Sequence, residues 1–170
     1  MGREIRMVPP NWEHPKDDMG NLQSMFDQTF TAACEEWKRD FAAWERGERE
    51  SYFDASKYPD DYQYWEWNNT PPTDRRHYRP YKDEEATWFQ LWETVTEGTP
   101  VSPPFATKEE LAEHLAEHGT FWDNAGWGRE RAYAFVKSGS APSMAFIGGV
   151  MLKSEDIPLF LEKEAASANQ

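Results

Sequence analysis

Between residues 29 and 50, Phe30, Cys34, Trp37, Phe41 and Trp44 recur at steps of four, three, four and three. That is one apolar stripe on a 3.6-residue period. Glu35, Glu36, Lys38, Arg39, Asp40, Glu45, Arg46, Glu48 and Arg49 occupy the opposite positions. The pattern predicts an amphipathic helix over 29–50, capped by Asp27 or Thr29, with Cys34 buried. The spacing is that of core packing rather than of a cofactor site.

A second apolar set, Ala86, Trp88, Phe89, Leu91, Trp92 and Val95, predicts a helix over 83–97 closed by a left-handed Gly98. Pro100, Pro103 and Pro104 make the segment before Phe105 a stiff extended connector. Thr107 opens a capping box with Glu110, and the following helix over 108–118 ends at Gly119, with Leu111, His114 and Leu115 on its inner side. A turn-rich stretch over 120–128 leads to a short helix over 129–138, stopped by Gly139. Residues 143–147 and 150–152 flank Gly148-Gly149, the signal of a tight hairpin. Ser154 is expected to cap a last helix over 155–165 that tolerates Pro158 in its first turn. Residues 166–170 are expected to fray.

Prolines organise the remainder. Pro9, Pro10 and Pro15 make 1–25 an extended arm, with a short edge strand over 3–8 by alternation. Trp12 and His14 in this arm are either ligand contacts or, respectively, an anchor onto the domain and an exposed side chain. Pro59, Pro71, Pro72 and Pro80, with a turn at Asn68-Asn69, make 51–82 a long loop whose aromatic richness argues against disorder. These readings give a single domain over 1–170. Its class is α+β, mainly α-helical, with about four helices, long aromatic and proline-rich loops and a small C-terminal β-hairpin.

Composition adds an unusual core. Aromatics are 15% of the 170 residues, with nine Trp, seven Tyr and ten Phe, and each brings about 150–250 Å² of buriable surface. A single cysteine excludes an internal disulfide framework and fits a reducing compartment. Neither a signal-peptide pattern nor an apolar run of ~18 residues is present. The chain is therefore expected to be soluble and cytoplasmic, with no membrane partner.

Charge points away from nucleic acid. Eighteen Lys and Arg against 31 Asp and Glu leave a formal net charge of −13, which opposes duplex binding by phosphate neutralisation. The asymmetry is concentrated over 83–130, where 11 acidic residues face only Lys108 and Arg129, a net of −9 (2 − 11). Glu109, Glu110, Glu113 and Glu117 form the acidic face of one helix. That face either meets a basic partner or is simply solvated.

The concentrated basic patch of the chain is Arg75, Arg76, His77, Tyr78, Arg79, Pro80, Tyr81 and Lys82. Arginine beside aromatic rings is the composition that holds a phosphate while a base stacks, so Arg75, Arg76, Tyr78, Arg79 and Tyr81 are candidates for a small anionic ligand such as a nucleotide. The alternative is an internal tie to nearby carboxylates. His114 and His118, at i and i+4, share a helical face as in many zinc sites, but the glutamate of an HExxH motif is absent. They are weak metal candidates, and no cofactor is expected. Gly148-Gly149 is not a phosphate loop, since neither GK[ST] nor G-x-G-x-x-G is present. No catalytic motif stands out, so no enzymatic activity is expected.

Three segments, REIRMVPPNWEHPKD from Arg3, EGTPVSPPFATKEELAEHL from Glu97 and GSAPSMAFIGGV from Gly139, resemble a family of short accessory proteins carried by tailed bacteriophages and prophages. The resemblance covers both ends and the middle but not 51–82, and it implies a phage accessory gene without catalytic residues to carry over. The function expected from it is stoichiometric binding to a host defence or regulatory protein, with the acidic face imitating nucleic acid. Sequestration of a small nucleotide through the Arg/Tyr loop, or a virion or assembly role, are the alternatives.

Overall fold

The computed structural model describes residues 2–59, 61–67, 70–95 and 98–168. Strands β1 (Gly2–Val8), β2 (Trp88–Glu93), β3 (Thr99–Pro100) and β4 (Ser140–Pro142) form an antiparallel sheet in the order β3-β2-β1-β4. In register, Ile5 faces Leu91 and Val8 faces Trp88. Around the sheet lie helices α1 (Phe30–Glu45), α2 (Tyr64–Trp67), α3 (Lys108–His118), α4 (Arg129–Ser138) and α5 (Ile157–Ala168). A separate hairpin pairs β5 (Met144–Ile147) with β6 (Val150–Lys153). The class is mixed α+β with a C-terminal hairpin and aromatic-rich regions.

One core lies where α3 and α4 meet the sheet. Leu91, Val101, Leu111, Leu115, Ala132, Phe135 and Ile157 are buried there, and Ala145, Ile147 and Leu152 pack the hairpin against it. A second cluster, Val8, Met25, Tyr81, Ala86 and Trp92, lies under the N-terminal segment, with Trp12 and Trp88 against it. A third set of rings joins α1 to residues 51–67. Trp37 stacks on Phe41 at 5.1 Å, and Trp44 meets Phe53 edge-on at 5.0 Å.

Several elements depart from the sequence reading. The helix expected over 83–97 is instead a one-turn 3₁₀ helix, Asp83–Glu85, followed by strand β2. Gln90, Leu91 and Trp92 are consecutively buried because β2 has a strand on either side and a core on both faces. An interior strand loses its period-2 alternation, and its apolar run imitates a helical set. Gly98 therefore ends no helix; it closes a turn after β2, donating to the Val95 carbonyl. The connector that follows supplies β3 and joins a strand to α3 rather than two helices.

The edge strand expected over 3–8 is an interior strand, paired on both sides. Helix α1 stops five residues short of position 50, because Gly47 at φ 82° turns the chain and the Arg46, Gly47 and Glu48 N–H groups close on the carbonyls of Ala42, Ala43 and Trp44. Cys34 on it is half-buried rather than buried. Ser154 does not cap α5, which begins at Ile157. Residues 51–82, expected as a long loop, contain three short helical turns. The turn expected at Asn68-Asn69, the last two residues of the 83–97 helix and the end of the frayed tail lie outside the described residues.

The locally punctuated elements match their expectations. Thr107 and Glu110 form a reciprocal capping box on α3, and Gly139 ends α4 in the left-handed region. Gly148 and Gly149, both at positive φ, make the hairpin turn.

Candidate functional site

The basic patch is held in place by short-range bonds. Asp74 accepts the Arg76 N–H at 3.0 Å and opens the 3₁₀ turn Arg75–His77. The loop is then stitched to the segment preceding α1, with the Phe26 N–H donating to the His77 carbonyl (2.8 Å) and the Arg79 N–H to the Gln28 carbonyl (3.1 Å). These two bonds lay residues 75–82 alongside the start of α1.

The result is a groove of about 550 Å³ between the loop and the first turn of the helix. Arg75, Tyr78, Arg79, Tyr81 and Lys82 line one side, and Thr29, Phe30, Thr31, Ala32 and Glu35 the other. The Arg75 guanidinium lies 4.6 Å from the centre of the Phe30 ring, within cation–π range. Tyr78 packs against Phe26 at 5.1 Å and edge-on to Phe30 at 5.5 Å. Tyr81 is buried against Trp12 at 4.8 Å, and its hydroxyl faces the Met7 carbonyl at 3.4 Å. Burial pushes the Tyr81 phenol up to about 12, so it stays neutral.

The cations differ in how far they are committed. Arg79, 15% exposed, ion-pairs with Asp83 and lies 3.8 Å from Asp27. Arg76 forms a fork on Asp74, at 2.7 and 3.1 Å, and holds that carboxyl at about 2, well below the usual range. Its side chain lines a different surface, with Lys16, Asp17 and Ser24. Arg75 and Lys82 form no ion pair with a carboxylate among the described residues. Opposite them, the first turn of α1 carries no acidic side chain. Thr29 Oγ1 accepts the Ala32 N–H at 3.2 Å, and other N–H groups of a first turn have no partner within the helix. Together with the positive end of the dipole, these features favour an anion.

Of the five residues proposed from sequence, the structure brings Arg75, Tyr78, Arg79 and Tyr81 into one groove and leaves Arg76 outside it. Phe30 and the helix start complete the groove. The Thr29 cap was legible in the sequence, but its placement beside position 75 depends on the Phe26 and Arg79 backbone bonds.

The other candidates lie apart. Glu109, Glu110, Glu113 and Glu117 are all exposed on α3. Glu110 accepts the Thr107 N–H in the capping box (3.0 Å). Glu113 accepts from the Tyr133 hydroxyl (2.5 Å) and pairs with Arg129 (2.8 Å). Glu117 lies 3.7 Å from His118 Nε2, and Glu109 makes no ion pair among the described residues. The His114 and His118 rings lie 5.0 Å apart, and among the described residues no group of three His, Cys, Asp or Glu side chains gathers around a common point. His14, read from sequence as a ligand contact or an exposed side chain, is half-buried against Trp92 (4.9 Å) and donates from Nε2 to the Gln23 carbonyl (2.6 Å). Trp12 anchors its segment onto the second cluster. No helix among the described residues is long and apolar enough to cross a membrane.

No protein-family model, curated protein or solved structure matches this chain.

Proposed function

We propose that this chain acts by stoichiometric binding and that its groove takes a small phosphate-bearing aromatic molecule of the nucleotide class. The observation that carries this reading is the pairing of Arg75 and Lys82, both without a carboxylate partner among the described residues, with a first turn of α1 that carries no acid across the same groove; Glu35, on the next turn, is the carboxylate in the lining. Phe30 and Tyr78 place aromatic rings beside the charges, with Arg75 lying over the Phe30 ring. In a phage accessory protein, the role suggested by the three resembling segments, such binding sequesters a nucleotide signal.

Isothermal titration with nucleoside mono-, di- and triphosphates, inorganic phosphate and uncharged nucleosides tests the reading. Saturable binding by nucleotides, weakening as salt rises, is expected. Arg75→Glu with Lys82→Glu is expected to lower affinity by more than about tenfold, because charge-assisted bonds are each worth roughly 1.5–3 kcal/mol. Absence of binding across the panel, or equal binding by the double variant, rejects it.

A second reading places a basic host protein, a defence or regulatory factor, on the acidic face of α3. The exposure of all four glutamates favours it, although Glu110 and Glu113 are partly engaged within the chain. Glu109→Lys with Glu117→Lys leaves those internal contacts intact. Loss of a partner captured from host lysate is the expected result, and unchanged capture removes the acidic face from consideration.

A further inference from the structure

From position 138 to 152 the chain carries no charged residue, its longest such run in a sequence that is 29% charged. That run supplies β5 and most of β6, which form a sheet of two strands only. Ala145, Ile147 and Leu152 turn one face of this hairpin onto the core. By the alternation of a strand the other face carries Met144, Phe146 and Met151, and these are 62%, 70% and 61% exposed. The Ser154 N–H donates to the Ser143 carbonyl at 3.0 Å, which fixes the phase of the ladder. Residues 143, 145 and 147 therefore turn their backbone groups to β6, and Met144 and Phe146 turn theirs away from it. Among the described residues no backbone bond meets that outer edge of β5.

An open apolar edge pairs with a further strand unless a charge, a proline or a bulge guards it. Lys153 guards the outer edge of β6, whereas β5, Met-Ala-Phe-Ile, has no guard. Charge selects the occupant. A second copy brings the same net charge of −13, and the uncharged run lets two copies touch without setting carboxylates against one another. The carboxylates next in sequence, Glu155 and Asp156, are already paired with Arg3 and Arg131. The edge is also complementary to itself. Two antiparallel copies of β5 related by a two-fold axis through Ala145 set Met144 of each opposite Phe146 of the other, with backbone bonds in both directions. The same register brings each thioether to a ring, a favourable contact. We propose that β5 is a homodimerisation edge, which joins two hairpins into one continuous antiparallel sheet. Only two residues of each strand contribute backbone bonds, so the dimer is weak and forms at high protein concentration. It does not rest on the anion groove.

Sedimentation equilibrium of the full chain from about 10 μM to about 1 mM tests the edge. A reversible monomer–dimer equilibrium is expected, strengthening as salt rises because screening relieves the repulsion between like-charged copies. Amide exchange at Met144 and Phe146 is expected to slow as the dimer forms. Met144→Lys with Phe146→Lys, both at exposed positions, is expected to lower the association constant more than about tenfold, since the register sets lysine against lysine. Met144→Glu with Phe146→Glu is expected to do the same alone. Mixing the two double variants then restores a dimer, because lysine faces glutamate. A monomer throughout the range overturns the proposal, as does a dimer that survives in the lysine variant, a mixture that stays monomeric, or growth beyond the dimer without limit. Exchange at Met144 and Phe146 that ignores concentration overturns it as well. Wild-type sedimentation and exchange need no substitution, so a misfolded variant does not remove the test.

Discussion

Gly98 holds φ 102°, and a Cβ placed on it would lie 2.6 Å from a terminal nitrogen of Arg6. Arg6 has little room to yield: it is buried, donates to the Met25 carbonyl (2.6 Å), pairs with Glu4 (2.7 Å) and lies 4.5 Å from the Trp92 ring. Gly98→Ala is expected to cost about 2–3 kcal/mol, seen as a lower urea midpoint. His14 responds to pH in a definite direction. Burial pulls its imidazole below the ordinary value, so between that ordinary value of about 6.5 and the folded-state value the unfolded chain binds the extra proton. Stability therefore falls as pH drops through that window. His114, lowered by burial and by His118, acts in the same direction. Urea midpoints between pH 7 and 5 are expected to fall less steeply in His14→Gln, and a slope identical to wild type excludes His14 as a source. Neither residue's environment was legible from its neighbours in sequence. Arg6 is buried because its strand is interior, and His14 because Trp92 comes from a strand far along the chain.

At the scale of elements, β2 depends on a side chain as well as on strands. Ser102 Oγ accepts the Leu91 N–H at 3.0 Å and donates to the Pro103 carbonyl at 2.9 Å, while the Ser102 carbonyl accepts from the Gln90 amide at 2.8 Å. Ser102 is fully buried. Ser102→Ala leaves the Leu91 N–H unsatisfied and is expected to destabilise by about 1–3 kcal/mol, measurable by denaturant unfolding with faster exchange of that amide. At α3, Thr107→Ala removes the cap on the Glu110 N–H (3.1 Å) and is expected to cost about 1 kcal/mol. The contrast between these elements explains what could be read in advance. Helix α3, helix α4 and the β5–β6 hairpin are closed by signals within a few residues of their ends, the capping box, Gly139 and Gly148-Gly149. Strand β2 has no comparable local signal. Its partners β1 and β3 and the Ser102 hydroxyl choose strand over helix, and the aromatic run itself is compatible with either.

At the scale of the molecule, α1 rests on the rings of residues 51–67 and on Tyr78 rather than on the sheet. Its stripe is only half-buried except at Trp44. Elements with less burial open at lower free energy, so α1 amides are expected to exchange ahead of the central amides of β1 and β2 by mass spectrometry; equal protection would show one cooperative unit. Leu115→Ala, in the fully buried core, is expected to cost about 2–5 kcal/mol and to lower the midpoint of the whole domain. By itself the sequence determined the charge balance, the α+β class with its C-terminal hairpin, the capped ends of α3 and α4 and the amphipathic course of α1, because each follows from composition or from neighbours within one or two turns. Tertiary structure decided that residues 3–8 and 88–93 are interior strands, that Arg76 turns away from Arg75, and that Phe30 faces Arg75 across a groove. Those outcomes hang on hydrogen bonds and ring contacts between residues tens of positions apart, and no local period encodes them.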